Sequence, residues 1–245
     1  MNEKLKLIYI LPNLFTAASI FLGVLSVLSS IKGDFSVAII YIVLSLVFDG
    51  LDGRVARLTN TTSKFGVEFD SLADIVAFGV APAMLFYFSV GQNFGRFGVL
   101  ITALFVIFGG VRLARFNVMS GASEPNVFIG LPIPTAAVLL ALWIGLWDKY
   151  EIFKGYEYVL LGAAAVFSVL MVSNVRFPSF KKINYERANF IRFLIALLLI
   201  LSLIYIYPLE ASAICLSLYV LYGIVRGVWA RFFAKHINLK ESKAC

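Results

Sequence analysis

The sequence predicts an all-α membrane protein, a polytopic helical bundle of about eight transmembrane helices. Of its 245 residues, 61% are apolar and 14% are charged, whereas a soluble domain is about 45–50% apolar and about 25% charged. Its apolar runs reach the roughly 20 residues that a helix needs to cross a bilayer. Disorder is excluded because disordered chains are poor in apolar residues, and two cysteines do not make a disulfide-rich scaffold.

Eight apolar segments account for this bundle. They are predicted near residues 8–31, 36–58, 72–90, 97–116, 132–148, 157–174, 190–207 and 210–227. Turn-like residues at 32–34, 91–93 and 207–208 separate several of them, which favours antiparallel neighbours. The first segment is too long for a cleavable signal peptide. We therefore expect a single membrane-embedded domain over 1–245, with its core in 1–140. Further spans and a basic interfacial tail would follow in 141–245.

The basic residues predict the orientation of this bundle. Eight spans place 17 of the 21 Lys and Arg residues on one side and only Lys32, Arg96, Lys149 and Lys154 on the other. Basic residues in short loops stay in the cytoplasm, so both termini are predicted to be cytoplasmic in a multi-pass inner-membrane protein. The net charge of +7 then reflects topology and contact with anionic lipids, and no nucleic-acid partner is predicted.

The acidic residues are concentrated where span 2 ends and span 3 begins. Asp49 and Asp52 are three residues apart and Asp70 and Asp74 are four apart, so each pair lies on one helical face. Four neighbouring carboxylates repel one another unless cations lie between them. Oxygen ligands suit Mg²⁺, and a pair of such ions can clamp a phosphoryl group during displacement. The pattern predicts two divalent cations, Mg²⁺ or Mn²⁺.

The full pattern from Asp49 to Asp74 is D-x2-D-G-x2-A-R-x8-G-x3-D-x3-D. It resembles the signature of the CDP-alcohol phosphatidyltransferases at all eight fixed positions. The resemblance implies transfer of a phosphatidyl group from a CDP-lipid to an alcohol with release of CMP, and it implies a homodimer. It also implies metal ligands at Asp49, Asp52, Asp70 and Asp74, with Asp74 as the base. The remaining motif residues and Asp49 would line the CDP-lipid site: Asp49, Gly53, Ala56, Arg57 and Gly66.

Other segments indicate the acceptor alcohol. The stretches 11–16, 69–74, 78–83, 112–117 and 128–134 resemble membrane-integral phosphatidylserine synthases, which implies L-serine as acceptor and CDP-diacylglycerol, or an analogous CDP-lipid, as donor. Ser71 and Ile75 stand where phosphatidylglycerophosphate synthases usually have Pro and Lys. Choline, glycerol phosphate and inositol remain alternative acceptors.

Several polar residues outside the motif are further site candidates. Asn13 and Thr16 would either bind the nucleotide or cap the first helix, and Ser63 and Lys64 would touch the diphosphate. Arg112, Arg115 and Asn117, at the end of span 4, would bind the serine carboxylate, because an arginine fork suits a carboxylate. The two arginines would otherwise anchor a helix end.

A small membrane transporter is the alternative from another class, because intramembrane acids also mark ion pathways. Against it, the acids lie at one interface and no internal repeat is visible. The basic segment 176–192 and the tail 226–240 are expected to contact lipid headgroups. With His236 the only histidine and no cysteine cluster, neither a Ser-His-Asp triad nor a zinc site is predicted.

Overall fold

A computed structural model describes residues 3–59, 61, 63–119, 127–178 and 187–241. Nine α-helices form most of this part of the chain. They are α1 (Glu3–Lys32), α2 (Phe35–Leu58), α3 (Lys64–Asp74), α4 (Ala81–Ser89), α5 (Arg96–Met119), α6 (Ile133–Lys149), α7 (Glu157–Val172), α8 (Arg187–Ile206) and α9 (Pro208–Glu241). A π-helix over Ile75–Val80 joins α3 to α4, and short 3₁₀ turns occupy Gly91–Phe94 and Glu151–Phe153.

The predicted polytopic helical bundle is confirmed, and each of the eight apolar segments coincides with helix. Five stretches of the described residues are long and apolar enough to cross a membrane: Ile10–Lys32, Phe35–Leu58, Lys64–Ser89, Arg96–Met119 and Pro208–Gly227. The helices α6 and α7 have only 17 and 16 residues. At 1.5 Å per residue they are about 25 Å long, the lower end of the transmembrane range.

The first two helices form a hairpin that is joined by buried hydroxyl groups. Gly33 turns the chain with a φ of 84°, a left-handed conformation that favours glycine. The Ser19 and Ser45 hydroxyls lie 2.6 Å apart, and Ser26 donates to the Ala38 carbonyl at 2.9 Å. Such interhelical hydrogen bonds hold helices together where water is absent. They fix the register in which α2 presents its last turns, and with them the first two motif aspartates, against α1.

The third span begins at Lys64, eight residues before the predicted start at residue 72. The Ser63 side chain accepts a hydrogen bond from the Gly66 backbone N–H at 3.0 Å, so Ser63 caps α3. Because the first turns of α3 contain polar residues, hydropathy alone does not show where this helix begins. Asp70 and Asp74 consequently lie within a helix that has already begun.

The centre of the bundle is formed around α6. Ten of its residues are buried, among them Ile133, Leu139 and Ile144. Just before α6, the strand β1 (Val127–Ile129) pairs in antiparallel fashion with β2 (Arg176–Pro178), which follows α7. This ribbon was not predicted. It is supported by a bond from the Gly130 N–H to the Val175 carbonyl at 2.9 Å.

Two sequence predictions concern segments that the structure describes only in part. Within the basic segment 176–192, Lys181 and Lys182 lie outside the described residues. The tail 226–240 belongs to the long helix α9, which continues to Glu241. Lipid contact by both segments stays a prediction.

Candidate active site

Two helix termini bring the four motif aspartates together. Asp49 and Asp52 lie in the last turns of α2, and Asp70 and Asp74 lie in the second half of α3. One carboxylate oxygen from each of Asp49, Asp70 and Asp74 lies within 4.8 Å of the others. We call these three residues the carboxylate cluster. The i,i+3 and i,i+4 spacings read from the sequence thus produce one convergent site.

Asp52 lies beside the cluster and has a protein partner of its own. It is buried, and its Oδ2 atom accepts a hydrogen bond from the Thr16 hydroxyl at 2.7 Å. It remains close enough to Asp49 and Asp70 to interact with both electrostatically. The structure therefore separates the four acids into three that face one another and one that α1 holds.

The carboxylate cluster has the chemistry of a cation site. Three carboxylates this close repel one another strongly in a medium of low dielectric constant. The Asp74 Oδ1 atom is buried and has no hydrogen-bond partner among the described residues, and a buried acceptor without a partner destabilises the fold. A hard divalent cation would relieve both problems, since it prefers oxygen ligands. The donor set therefore fits the predicted Mg²⁺ or Mn²⁺.

A cationic side chain approaches the cluster from the side of α5. Arg112 is buried, attracts the Asp74 carboxylate electrostatically, and its guanidinium lies 5.2 Å from the centre of the Phe116 ring. A buried guanidinium needs such partners, because an isolated buried charge is expensive. Arg112 thus interacts electrostatically with the aspartate predicted to act as base.

A cavity of about 220 Å³ opens beside the cluster, between α1, α2 and α3. Seven of the nine residues predicted for CDP-lipid binding line it, namely Asn13, Thr16, Gly53, Ala56, Arg57, Ser63 and Gly66. Asp52 and Asp70 line the same cavity. The small side chains of the motif leave room here, and its arginine supplies a positive charge suited to a phosphate.

The sequence model of the CDP-alcohol phosphatidyltransferases matches residues 9–171. The chain belongs to this family. Membership makes it an enzyme and removes the support for the transporter alternative. The family model covers all four aspartates, the cavity and Arg112, whereas α8 and α9 lie beyond the match.

Relatives of this phosphatidyltransferase carry more particular names. It is 52% identical over 238 residues to the CDP-diacylglycerol–serine O-phosphatidyltransferase of Helicobacter pylori (strain J99), with 97% of this chain and 98% of the relative covered. A Methanocaldococcus jannaschii protein of the same name is 37% identical over 86% of this chain and 90% of its own. The archaetidylserine synthase of Methanothermobacter thermautotrophicus is 38% identical over 73% of this chain and 74% of its own.

Two of the nine residues predicted for CDP-lipid binding do not line the cavity. Lys64 is the exposed first residue of α3. Asp49 belongs to the carboxylate cluster and not to the cavity wall. The cavity of the phosphatidyltransferase therefore adjoins the carboxylate cluster and shares Asp70 with it.

Two of the three residues predicted for serine binding have partners in the protein. Arg115 donates to Asn174 Oδ1 at 2.7 Å and to the Val172 carbonyl at 3.4 Å, which ties α5 to the end of α7. The Asn117 amide donates to the Ser71 hydroxyl at 2.9 Å and braces the helical turn between Asp70 and Asp74. Among the three, Arg112 alone has a resolved electrostatic interaction with a motif aspartate.

The cavity also includes residues that sequence reasoning missed: Pro12, Thr61 and Val67. Thr61 belongs to the eight unspecified positions between Arg57 and Gly66. Its backbone N–H bonds to the Ala56 carbonyl at 2.9 Å, and its hydroxyl lies 2.7 Å from that of Thr59. A polar residue in the short connection between two motif-bearing helices was the available signal.

Proposed function

We propose that this protein transfers the phosphatidyl group of CDP-diacylglycerol to the hydroxyl of L-serine, giving phosphatidylserine and CMP. The observation that carries the proposal is the 52% identity, over nearly the whole of both chains, with a protein named for that reaction. A relative named for archaetidylserine has a lower identity of 38%. Both names specify serine.

The cavity supports binding of the CDP-lipid headgroup. Asn13 of α1 and Thr61 and Ser63 of the α2–α3 connection offer polar groups, and Arg57 can donate to a phosphate oxygen. Gly53 and Ala56 add little bulk, so the nucleotide can approach α2 closely. Lipid tails would extend from this site into the bilayer.

Asp49, Asp52, Asp70 and Asp74 would hold two divalent cations. When bound, these cations would neutralise the diphosphate and stabilise the charge on the departing CMP. Asp74 would receive the proton of the serine hydroxyl. The burial of its carboxylate, whose Oδ1 atom has no hydrogen-bond partner among the described residues, supports this assignment.

The reaction is a single displacement at the lipid-proximal phosphorus. The serine oxygen forms the new P–O bond while the bond from that phosphorus to the oxygen bridging to CMP breaks. The proton passes to the Asp74 carboxylate, and CMP leaves with the bond electrons. Such a transfer is accelerated by positioning of the reactants and by electrostatic stabilisation of the transition state.

Arg112 is the residue we propose for the serine carboxylate. It is buried beside Asp74, so a serine whose carboxylate it binds has its hydroxyl close to the proposed base. An arginine fork suits a carboxylate, whereas choline calls for aromatic faces. The arrangement therefore favours serine over choline.

An acceptor comparison tests this proposal. Purified protein is incubated with CDP-diacylglycerol, Mn²⁺ or Mg²⁺, and serine, choline, glycerol phosphate or inositol, and CMP release is measured. We expect release with serine and phosphatidylserine as the lipid product. CMP release that requires one of the other alcohols would assign a different acceptor, and no release with any of them would contradict the proposed reaction.

A further inference from the structure

The Thr16 hydroxyl lies between two oxygen atoms of different helices. Its Oγ1 atom is 2.7 Å from Asp52 Oδ2 and 3.2 Å from the Pro12 carbonyl, one turn earlier in α1. Both Thr16 and Asp52 are buried. The shorter contact joins α1 to a motif aspartate that lies outside the carboxylate cluster.

A hydroxyl group has only one hydrogen to donate. Because both neighbours of Thr16 Oγ1 are acceptors, that hydrogen is used within the protein. Towards a nucleotide the hydroxyl can then only accept a hydrogen bond. The side chain lines the cavity, but its strongest polar interaction is with the carboxylate.

The packing of α1 against α2 makes this contact rigid. One turn further along α1, the Ser19 and Ser45 hydroxyls lie 2.6 Å apart, so the two helices are held together next to Thr16. Thr is β-branched and has a restricted χ1 in a helix. The Asp52 carboxylate is therefore fixed in orientation from outside the motif.

We infer that Thr16 is a positioning residue that orients the Asp52 carboxylate towards the acidic site. This inference rests on the proposed function, because it assigns Asp52 to cation binding for phosphatidyl transfer. The contact makes α1, which contributes no residue to the aspartate motif, a part of the cation site. Residues that orient ligands in this way commonly change metal affinity or activity tenfold to a hundredfold when they are lost.

The test compares Thr16→Val, which keeps the shape and removes the hydroxyl, with Thr16→Ser, which keeps the hydroxyl. Full-length protein is titrated with Mn²⁺, and free Mn²⁺ is followed by electron paramagnetic resonance. CMP release is measured on the same preparations. For Thr16→Val we expect Mn²⁺ affinity and kcat to fall roughly tenfold or more, with Thr16→Ser restoring most of both. In an Asp52→Ala background, Thr16→Val should add no further loss of Mn²⁺ affinity.

The matched control is Thr102→Val, the same substitution at a threonine of α5 whose hydroxyl donates to the Gly98 carbonyl at 2.8 Å and touches no aspartate. We expect it to leave Mn²⁺ affinity unchanged. The inference is overturned if Thr16→Val binds Mn²⁺ as tightly as the wild type, if Thr16→Ser does not restore binding, or if Thr102→Val weakens binding equally. The Mn²⁺ titration contains no acceptor, so a protein that fails to use serine still gives a decisive answer.

Discussion

At the residue scale, Asp74 differs from the other motif aspartates in having one buried oxygen without a hydrogen-bond partner among the described residues. If the Asp74 carboxylate takes the proton of the attacking hydroxyl, Asp74→Asn should bind CDP-diacylglycerol and lose roughly a hundredfold to ten-thousandfold in kcat, the usual range for a general base. Glu68→Gln is the control, because it changes an exposed acid of the same helix. Near-normal turnover by Asp74→Asn would refute the assignment, and so would an equal loss in Glu68→Gln.

Arg112 permits a second prediction at this scale. Loss of a charge-assisted hydrogen bond to the serine carboxylate should raise the serine KM of Arg112→Ala about tenfold to a hundredfold. The Arg112→Lys variant keeps the positive charge but lacks the bidentate guanidinium. Its serine KM should lie between those of the wild type and Arg112→Ala. Arg96→Ala, at the other and exposed end of α5, should behave as the wild type. Serine kinetics that are unchanged in Arg112→Ala would contradict this role.

At the scale of elements, the close packing of α1 against the π-helix holds Asp74 in place. A Cβ atom added to Gly23 would lie 2.9 Å from the Ala77 Cα atom, which is backbone and has little freedom to move. Overpacking of this kind destabilises proteins by about 1–3 kcal/mol. We predict that Gly23→Ala lowers the melting temperature and also kcat, because Ala77 lies only three residues after Asp74.

Gly162→Ala in α7 is the matched control for that prediction. Its added Cβ meets nothing within 4 Å, and alanine is the better helix former, so its melting temperature should be unchanged or slightly higher. Thermal unfolding followed by circular dichroism measures both variants. Equal stability of Gly23→Ala and the wild type would show that α1 is not packed this closely.

Hydropathy was sufficient to predict where the helices lie. It did not predict the start of α3, the π-helix or the β1–β2 ribbon. The eight apolar segments coincide with helices because bilayer thickness dictates their length. The start of α3 was misplaced because a Ser63 cap, and not apolarity, begins that helix. The β1–β2 ribbon was missed because it pairs segments distant in sequence, and the π-helix over Ile75–Val80 has no hydropathy signal that sets it apart from the α-helices around it.

At the scale of the whole molecule, the unequal distribution of basic residues predicts the orientation in the membrane. Single cysteines replacing Lys32 or Lys149, in a Cys215→Ser, Cys245→Ser background, should react with an impermeant maleimide added to intact cells. A cysteine at Lys64, on the active-site face, should react only after permeabilisation. The reverse labelling pattern would place the active site outside the cytoplasm.

The site was more predictable from sequence than its detailed contacts. Fixed spacings on two helices were enough to bring Asp49, Asp70 and Asp74 together, because helical geometry dictates which residues share a face. The separation of Asp52 from them depends on Thr16, 36 positions earlier. Helical i,i+3 and i,i+4 spacings do not predict a contact between residues so far apart in the sequence. The partners of Arg115 and Asn117 also lie in segments distant in sequence, which is why sequence reasoning assigned both to the substrate.

We propose that phosphatidyl transfer to serine occurs at the carboxylate cluster and depends on divalent cations. Serine-dependent CMP release by the wild-type protein is measured after removal of metal with EDTA, and again after addition of Mn²⁺ or Mg²⁺. We predict that activity disappears with the metal and returns with either ion, while the protein stays folded. Full serine-dependent CMP release by the metal-free protein would contradict it.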